Sequence, residues 1–169
     1  MDGVAFIKAV HKIKSLKNGI ALLVILMAQA CSPGPKPEFE EVTKNYYSNQ
    51  SSFEEVKNLA CKITLTHGVK LRGATEDIEN EELKQALLKI GVSEVSASSH
   101  EGKCKIALTY YAVALGGSGV SYNYIRNIQV GQLYNPKVHT LAAVEAPNSG
   151  KIKFYKELEN GWYFVFNKS

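Results

Sequence analysis

The chain predicts an α+β domain, with two or three N-terminal helices packed on a five- or six-stranded, mostly antiparallel sheet. Three observations lead there. Apolar residues recur at helical spacing before residue 91. From Val92 onward, apolar and polar residues alternate instead. An Asn160-Gly161 turn between two aromatic runs closes the chain as a hairpin.

The first thirty residues stand apart from this domain. Lys8, Lys12, Lys14 and Lys17 face a single acid, Asp2, and the run Gly19 to Ala28 is apolar and uncharged. That run is about a dozen residues long with its neighbours, whereas a helix needs roughly 20 to cross a bilayer. A basic stretch, a short apolar core and the small residues Ala28 and Ala30 describe a secretory signal peptide over residues 1–30. Four of the 20 Lys and Arg and one of the 16 Asp and Glu lie in it, which leaves 16 basic and 15 acidic residues behind. A net charge of +1 gives no reason to expect nucleic acid as a partner.

Ala28-Gln29-Ala30-Cys31 resembles the lipobox of bacterial lipoproteins, although the family favours Leu at position 28 and a small residue at position 29. The resemblance covers only the N-terminal thirty or so residues. It implies that Cys31 carries a diacylglyceryl group, that cleavage falls before it, and that the new N-terminus is acylated. The competing reading is a plain A-x-A site that releases a soluble exported protein. The stretch Ser32-Pro-Gly-Pro-Lys-Pro37 then serves as a stiff tether, so that residues 31–38 link the anchor to a domain at 39–169. The membrane would be one partner, through the anchor. Within the lipoprotein family, Ser after the cysteine favours the outer membrane if the host has two.

Residues 38–50 carry a weak helical pattern through Phe39, Val42 and Tyr46. Ser52-Phe-Glu-Glu55 fits a capping box, and Phe53, Val56, Ala60 and Ile63 form one helical face. Ile63, Leu65, Val69 and Leu71 then alternate, which predicts a strand broken near Gly68. Asn80 caps a clearer helix that has Leu83, Ala86, Leu87 and Ile90 on its inner stripe and Gly91 at its end. Strands are expected at 92–98, 104–115, 122–130 and 138–144, the first two joined through His100-Glu-Gly-Lys103. A two-residue turn on Asn160-Gly161 would put Glu157 and Glu159 on the aromatic face. A three-residue loop pairs Phe154 with Phe166 and Leu158 with Trp162, leaving only Lys156 on that face. The second register is favoured. The helix-first order and the closing Gly161-Trp162 hairpin are similar to NTF2-like domains found in some lipoproteins.

Once Cys31 takes lipid, Cys61 and Cys104 remain as a candidate disulfide in an oxidising compartment. One point counts against it: Cys61 lies on the flank of its helix away from Phe53, Val56, Ala60 and Ile63. His67, His100 and His139 have no second ligand at metal-binding spacing. Gly116-Gly-Ser-Gly119 has neither a phosphate-loop nor a nucleophile-elbow pattern and reads as a strand connection. Glu76, Asp77 and Glu79 to Glu82 read as a solvated loop and helix start. No catalytic constellation, metal site or cofactor is therefore expected. Nine tyrosines exceed what a small core needs, and Tyr110, Tyr122 and Tyr124 are candidates for a face that binds an envelope protein or glycan. The reading is a non-enzymatic envelope lipoprotein. The alternatives are a periplasmic hydrolase with residues drawn from distant positions, or an envelope inhibitor or immunity protein.

Overall fold

The computed structural model describes residues 35–115, 118–146 and 150–169. The expected signal peptide, Cys31 and Gly116-Gly117 lie outside them. Helices α1 (Phe39–Ser48) and α2 (Gln50–His67) are followed by strand β1 (Leu71–Ala74), a 3₁₀ turn (Thr75–Asp77) and α3 (Glu81–Lys89). Then come β2 (Glu94–His100), β3 (Lys103–Leu115), β4 (Ser118–Arg126), a short α4 (Leu141–Glu145), β5 (Ile152–Glu157) and β6 (Trp162–Lys168). The six strands form one antiparallel sheet in the order β1-β2-β3-β4-β6-β5, so the class is α+β.

Alternation decides which face of the sheet is buried. Ile106, Leu108, Tyr122, Tyr124, Phe154, Trp162, Phe164 and Phe166 turn to one face and join the main core with α1, α2 and α3. The β5–β6 register is the one the three-residue loop requires, with Phe154 opposite Phe166 and Lys156 opposite Phe164. Asn160 and Gly161 both take left-handed backbone there, at φ 56° and 75°. The β2–β3 turn sits on Glu101 and Gly102, again both left-handed, with His100 opposite Lys103. One residue breaks the β3–β4 ladder. Thr109 pairs with Asn123 but Tyr111 pairs with Tyr122, so Tyr110 is an extra residue in a bulge. Consecutive tyrosines thereby reach the same face: Tyr110 packs edge-on to Tyr124 and Tyr111 lies against Tyr122.

The helices differ from the sequence pattern at three points. The capping box at Ser52 does not form. Helix α1 runs into α2 across Asn49, whose carbonyl accepts from the amides of Ser52 and Phe53, and Ser52 is buried in the first turn. Helix α2 continues four residues past Ile63, through buried Thr64 to His67, and stops on left-handed Gly68. The apparent alternation of Leu65 and Val69 is a half-exposed helix end, not a strand. In the third case, residues 138–144 are not a strand. The Thr140 hydroxyl accepts from the amide of Ala143 and starts α4. The edge of β5 that such a strand would pair with is already used, because Tyr155 exchanges backbone bonds with Gln132 and Tyr134. Residues 127–134 reach that edge across the outer face, where Ile128 and Val130 cover Ile125, Tyr155 and Val165.

Two covalent or ionic ties hold α2 to the sheet. Cys61 and Cys104 form a disulfide, with their Cα atoms 5.6 Å apart. Thr64, one turn beyond Cys61, also reaches the Cys104 sulfur at 3.8 Å. At the other end of the helix, the Glu54 carboxylate accepts from Arg126 at 2.7 Å and from the Trp162 indole at 3.1 Å, and pairs with Lys57. Burial pushes the Glu54 carboxyl upward. The hydrogen bonds from Lys57 and Trp162 and the charges of Arg126 and Lys57 outweigh it and hold the group below its ordinary value. In the core between these ties, the Tyr124 hydroxyl donates to the Val42 carbonyl at 2.7 Å and accepts from Asn45.

Two predictions follow from these ties. The disulfide closes a loop of 43 residues, so Cys104→Ser should lower the unfolding free energy by about 4 kcal/mol in urea titrations under oxidising conditions. Because the folded-state value of Glu54 is depressed, its contribution is complete above the unfolded value of about 4.3 and is lost as pH falls through the folded value. Glu54→Gln should therefore flatten the fall of Tm with pH below about 4, and an unchanged slope would assign acid lability to other groups.

Candidate functional site

Helices α1 to α3 cover only part of the inner sheet face. Over the rest lies a groove of about 520 Å³. Its floor and walls are Tyr122 from β4, Phe154 from β5, Phe166 from β6, Tyr134, Val144 and Phe39. Lys36, Pro37, Glu38 and Glu40 form the rim, where the chain enters the domain. This size falls within the range of small-molecule sites, about 300–1,000 Å³.

Each wall has a local cause. Phe39 opens α1 and packs on three rings, at 5.2 Å from Tyr134, 5.8 Å from Phe154 and 5.0 Å from Phe164. Tyr134 follows the Leu133 bridge to β5, which fixes its backbone. Val144 belongs to α4, and the Lys168 ammonium donates to the last carbonyls of that helix, Val144 and Ala146. Lys156, on the hairpin's inner face, extends over the rings of Phe39 at 4.9 Å and Tyr134 at 5.9 Å. Its cation is thereby held on aromatic faces while its stem lies along the apolar wall.

The tyrosines expected on an open binding face are arranged otherwise. Tyr124 is 0% exposed and Tyr122 2%, because helices and loop cover the face they share, and Tyr110 is half-buried on the bulge. Of the three, Tyr122 lines the groove. Burial also raises the Tyr110 and Tyr124 phenols above the ordinary tyrosine value. Tyr46, whose hydroxyl donates to the Glu159 carbonyl, is raised to about 12, chiefly by burial.

The histidines lie apart from one another in this arrangement. His67 is exposed at the end of α2, and His100 is exposed beside Glu101. His139 is buried, stacked on Phe154 at 4.6 Å, with Nδ1 accepting from the Asn135 amide and Nε2 next to the Gln132 amide group. Its recorded ring-nitrogen partners are thus a backbone amide and a side-chain amide, with no carboxylate among them. Glu76, Asp77, Glu79, Glu81 and Glu82 are all exposed. Among the described residues no three His, Cys, Asp or Glu side chains gather as a metal site.

Sequence reasoning missed Phe39 and Val144 as site residues. Phe154 and Phe166 were legible only as hairpin core. The available signal was Lys156 on that face, since a charge there requires a gap or an aromatic partner. The chain matches no family model, no curated protein and no solved structure.

Phe39 joins the rim to the floor. Phe39→Ala should cost about 3 kcal/mol of stability in urea denaturation and raise amide exchange over residues 37–42. A variant with unchanged exchange there would show that the rim is held by other contacts.

Proposed function

We propose that this chain is an exported lipoprotein, anchored in the cell envelope through Cys31, whose domain binds an apolar ligand in the groove without acting on it chemically. The observation that carries the binding part is the groove itself, a pre-formed concave site with Phe39, Tyr134, Phe154 and Phe166 on its walls. The anchoring part rests on Lys8 to Lys17, the short apolar run and Ala28-Gln-Ala-Cys31. The Cys61–Cys104 disulfide agrees with an oxidising compartment. An outer-membrane address, if the host has two membranes, and an NTF2-like ancestry belong to the same proposal. Helix-first order and the closing hairpin support the ancestry.

Two measurements test the two parts. The N-terminal peptide of membrane-purified protein should start at Cys31 and carry the mass of a diacylglyceryl group and an acyl chain, and Cys31→Ser should move the protein to the soluble fraction. A peptide with the mass of bare amino acids ends the anchoring claim. For the groove, anilinonaphthalene sulfonate should fluoresce on the folded chain, and Val144→Phe should reduce its affinity by about tenfold by filling the wall. Equal dye binding by both forms would remove the groove as a binding site.

A further inference from the structure

We infer that the groove takes a single acyl chain of a phospholipid from the bilayer to which the protein is anchored. This inference rests on the binding reading of the groove and on Cys31 anchoring, and it goes further by naming the occupant.

The polar inventory of the walls is the first argument. Phe39, Val144, Phe154 and Phe166 offer no side-chain polar atom to the space, and Tyr122 and Tyr134 offer one hydroxyl each. The nearest other polar groups are committed elsewhere: His139 Nδ1 accepts from the Asn135 amide, its Nε2 lies beside the Gln132 amide group, and Lys168 donates to the carbonyls at the end of α4. A ligand with many polar atoms would lose water there and find few partners. Sugars, nucleotides and peptide backbones carry polar atoms along their whole length. A hydrocarbon chain carries none, and it leaves its polar end at the mouth. There the rim changes character, with Lys36, Glu38 and Glu40 all exposed to solvent. A mouth of mixed sign suits a zwitterionic head group better than a strongly anionic one.

Chain length is the second argument. Lys36 lines the groove, and only four residues separate it from Cys31, a path of five Cα-to-Cα steps. Fully extended, such a path spans at most about 18 Å. With Cys31 at the membrane surface, the groove cannot lie farther from the head groups than roughly the thickness of one hydrocarbon leaflet, about 15 Å, plus a few ångströms. Beside the anchor's own acyl groups, which the bilayer holds, phospholipid chains are then the apolar molecules most abundant near the groove.

The test uses the full chain purified from membranes and reconstituted in phosphatidylcholine vesicles in which some lipids bear a diazirine on one acyl chain. After illumination, labelled peptides are mapped by mass spectrometry. Labels are expected on peptides containing Phe39, Tyr134 and Phe154. Val144→Phe should lower labelling of these peptides by about tenfold. Should that variant fold poorly, Glu38→Phe, at an exposed rim position, should lower it as well. Groove labelling from the vesicles that falls in either folded variant supports the inference. Absence of groove labelling overturns it, as does labelling that neither variant reduces. Labelling by free diazirine palmitate but not by the phospholipid also overturns it, because the chain would then come from solution. Dye binding that depends on Val144 without any lipid labelling sinks this inference and leaves the binding reading standing. Loss of both sinks the two together.

Discussion

The burial of one aromatic surface governs this fold. Strands β4 and β6 place Tyr122, Tyr124, Trp162, Phe164 and Phe166 on a single face, and water must be kept from all of them. Phe53 of α2 is the ring that meets most of this need, lying 4.7 Å from Tyr124, 5.5 Å from Trp162 and 4.9 Å from Tyr46. Edge-to-face contacts of this kind add orientation to what is otherwise unspecific apolar burial. The polar tips of the same rings then locate the helices. Trp162 donates to Glu54, Tyr124 donates to Val42, and Tyr46 donates to the Glu159 carbonyl in the closing turn. A helix displaced by one ångström would leave at least one of these donors buried and unpaired. Packing and hydrogen bonding therefore choose the same placement.

The groove is the remainder of that solution. Three helices are too few to cover six strands along their whole length, and the far ends of β4, β5 and β6 need another cover. The chain supplies it from two sides. The first residues of the domain, ending in Phe39, close over one side. The segment after β4 crosses the outer face, rounds the β5 edge at Leu133 and returns inside as Tyr134, His139 and Val144. Irregular covers fit less closely than helices do, and the space between them is the groove.

Much of this was legible from residue patterns. Asn80 capped α3 as its position predicts, and Gly91 ended it. The clash of Glu157 and Glu159 with the aromatic face selected the right hairpin register. Where reading failed, the cause was a contact invisible in one dimension. Ser52 and Glu55 have the spacing of a cap, yet α1 already supplies the carbonyl that starts α2. Val138 to Val144 has strand-like composition, yet the edge it would join was taken. Cys61 seemed turned away from its partner because Ile63 was read as the inner face, whereas buried Thr64 continues the stripe of Ala60 and brings the flank that carries Cys61 to Cys104. The groove was hidden for a related reason. Its walls come from the N-terminal lead-in, three strands and a loop, and no local pattern marks residues that meet only in space.

The bulge at Tyr110 bears on how this strand tolerates change in length. Leu108 faces inward, Thr109 outward and Tyr111 inward again, so the alternation closes over Tyr110 as though it were absent. A descendant gene missing that codon would keep the inside and outside assignments of every other β3 residue, forfeiting only the ring that sits over Gly91 and Tyr124. A codon lost elsewhere in β3 is absorbed only by straightening this same bulge, which exchanges core for surface in the residues between. Single-residue gaps among relatives of this protein should accordingly gather at this one site in β3.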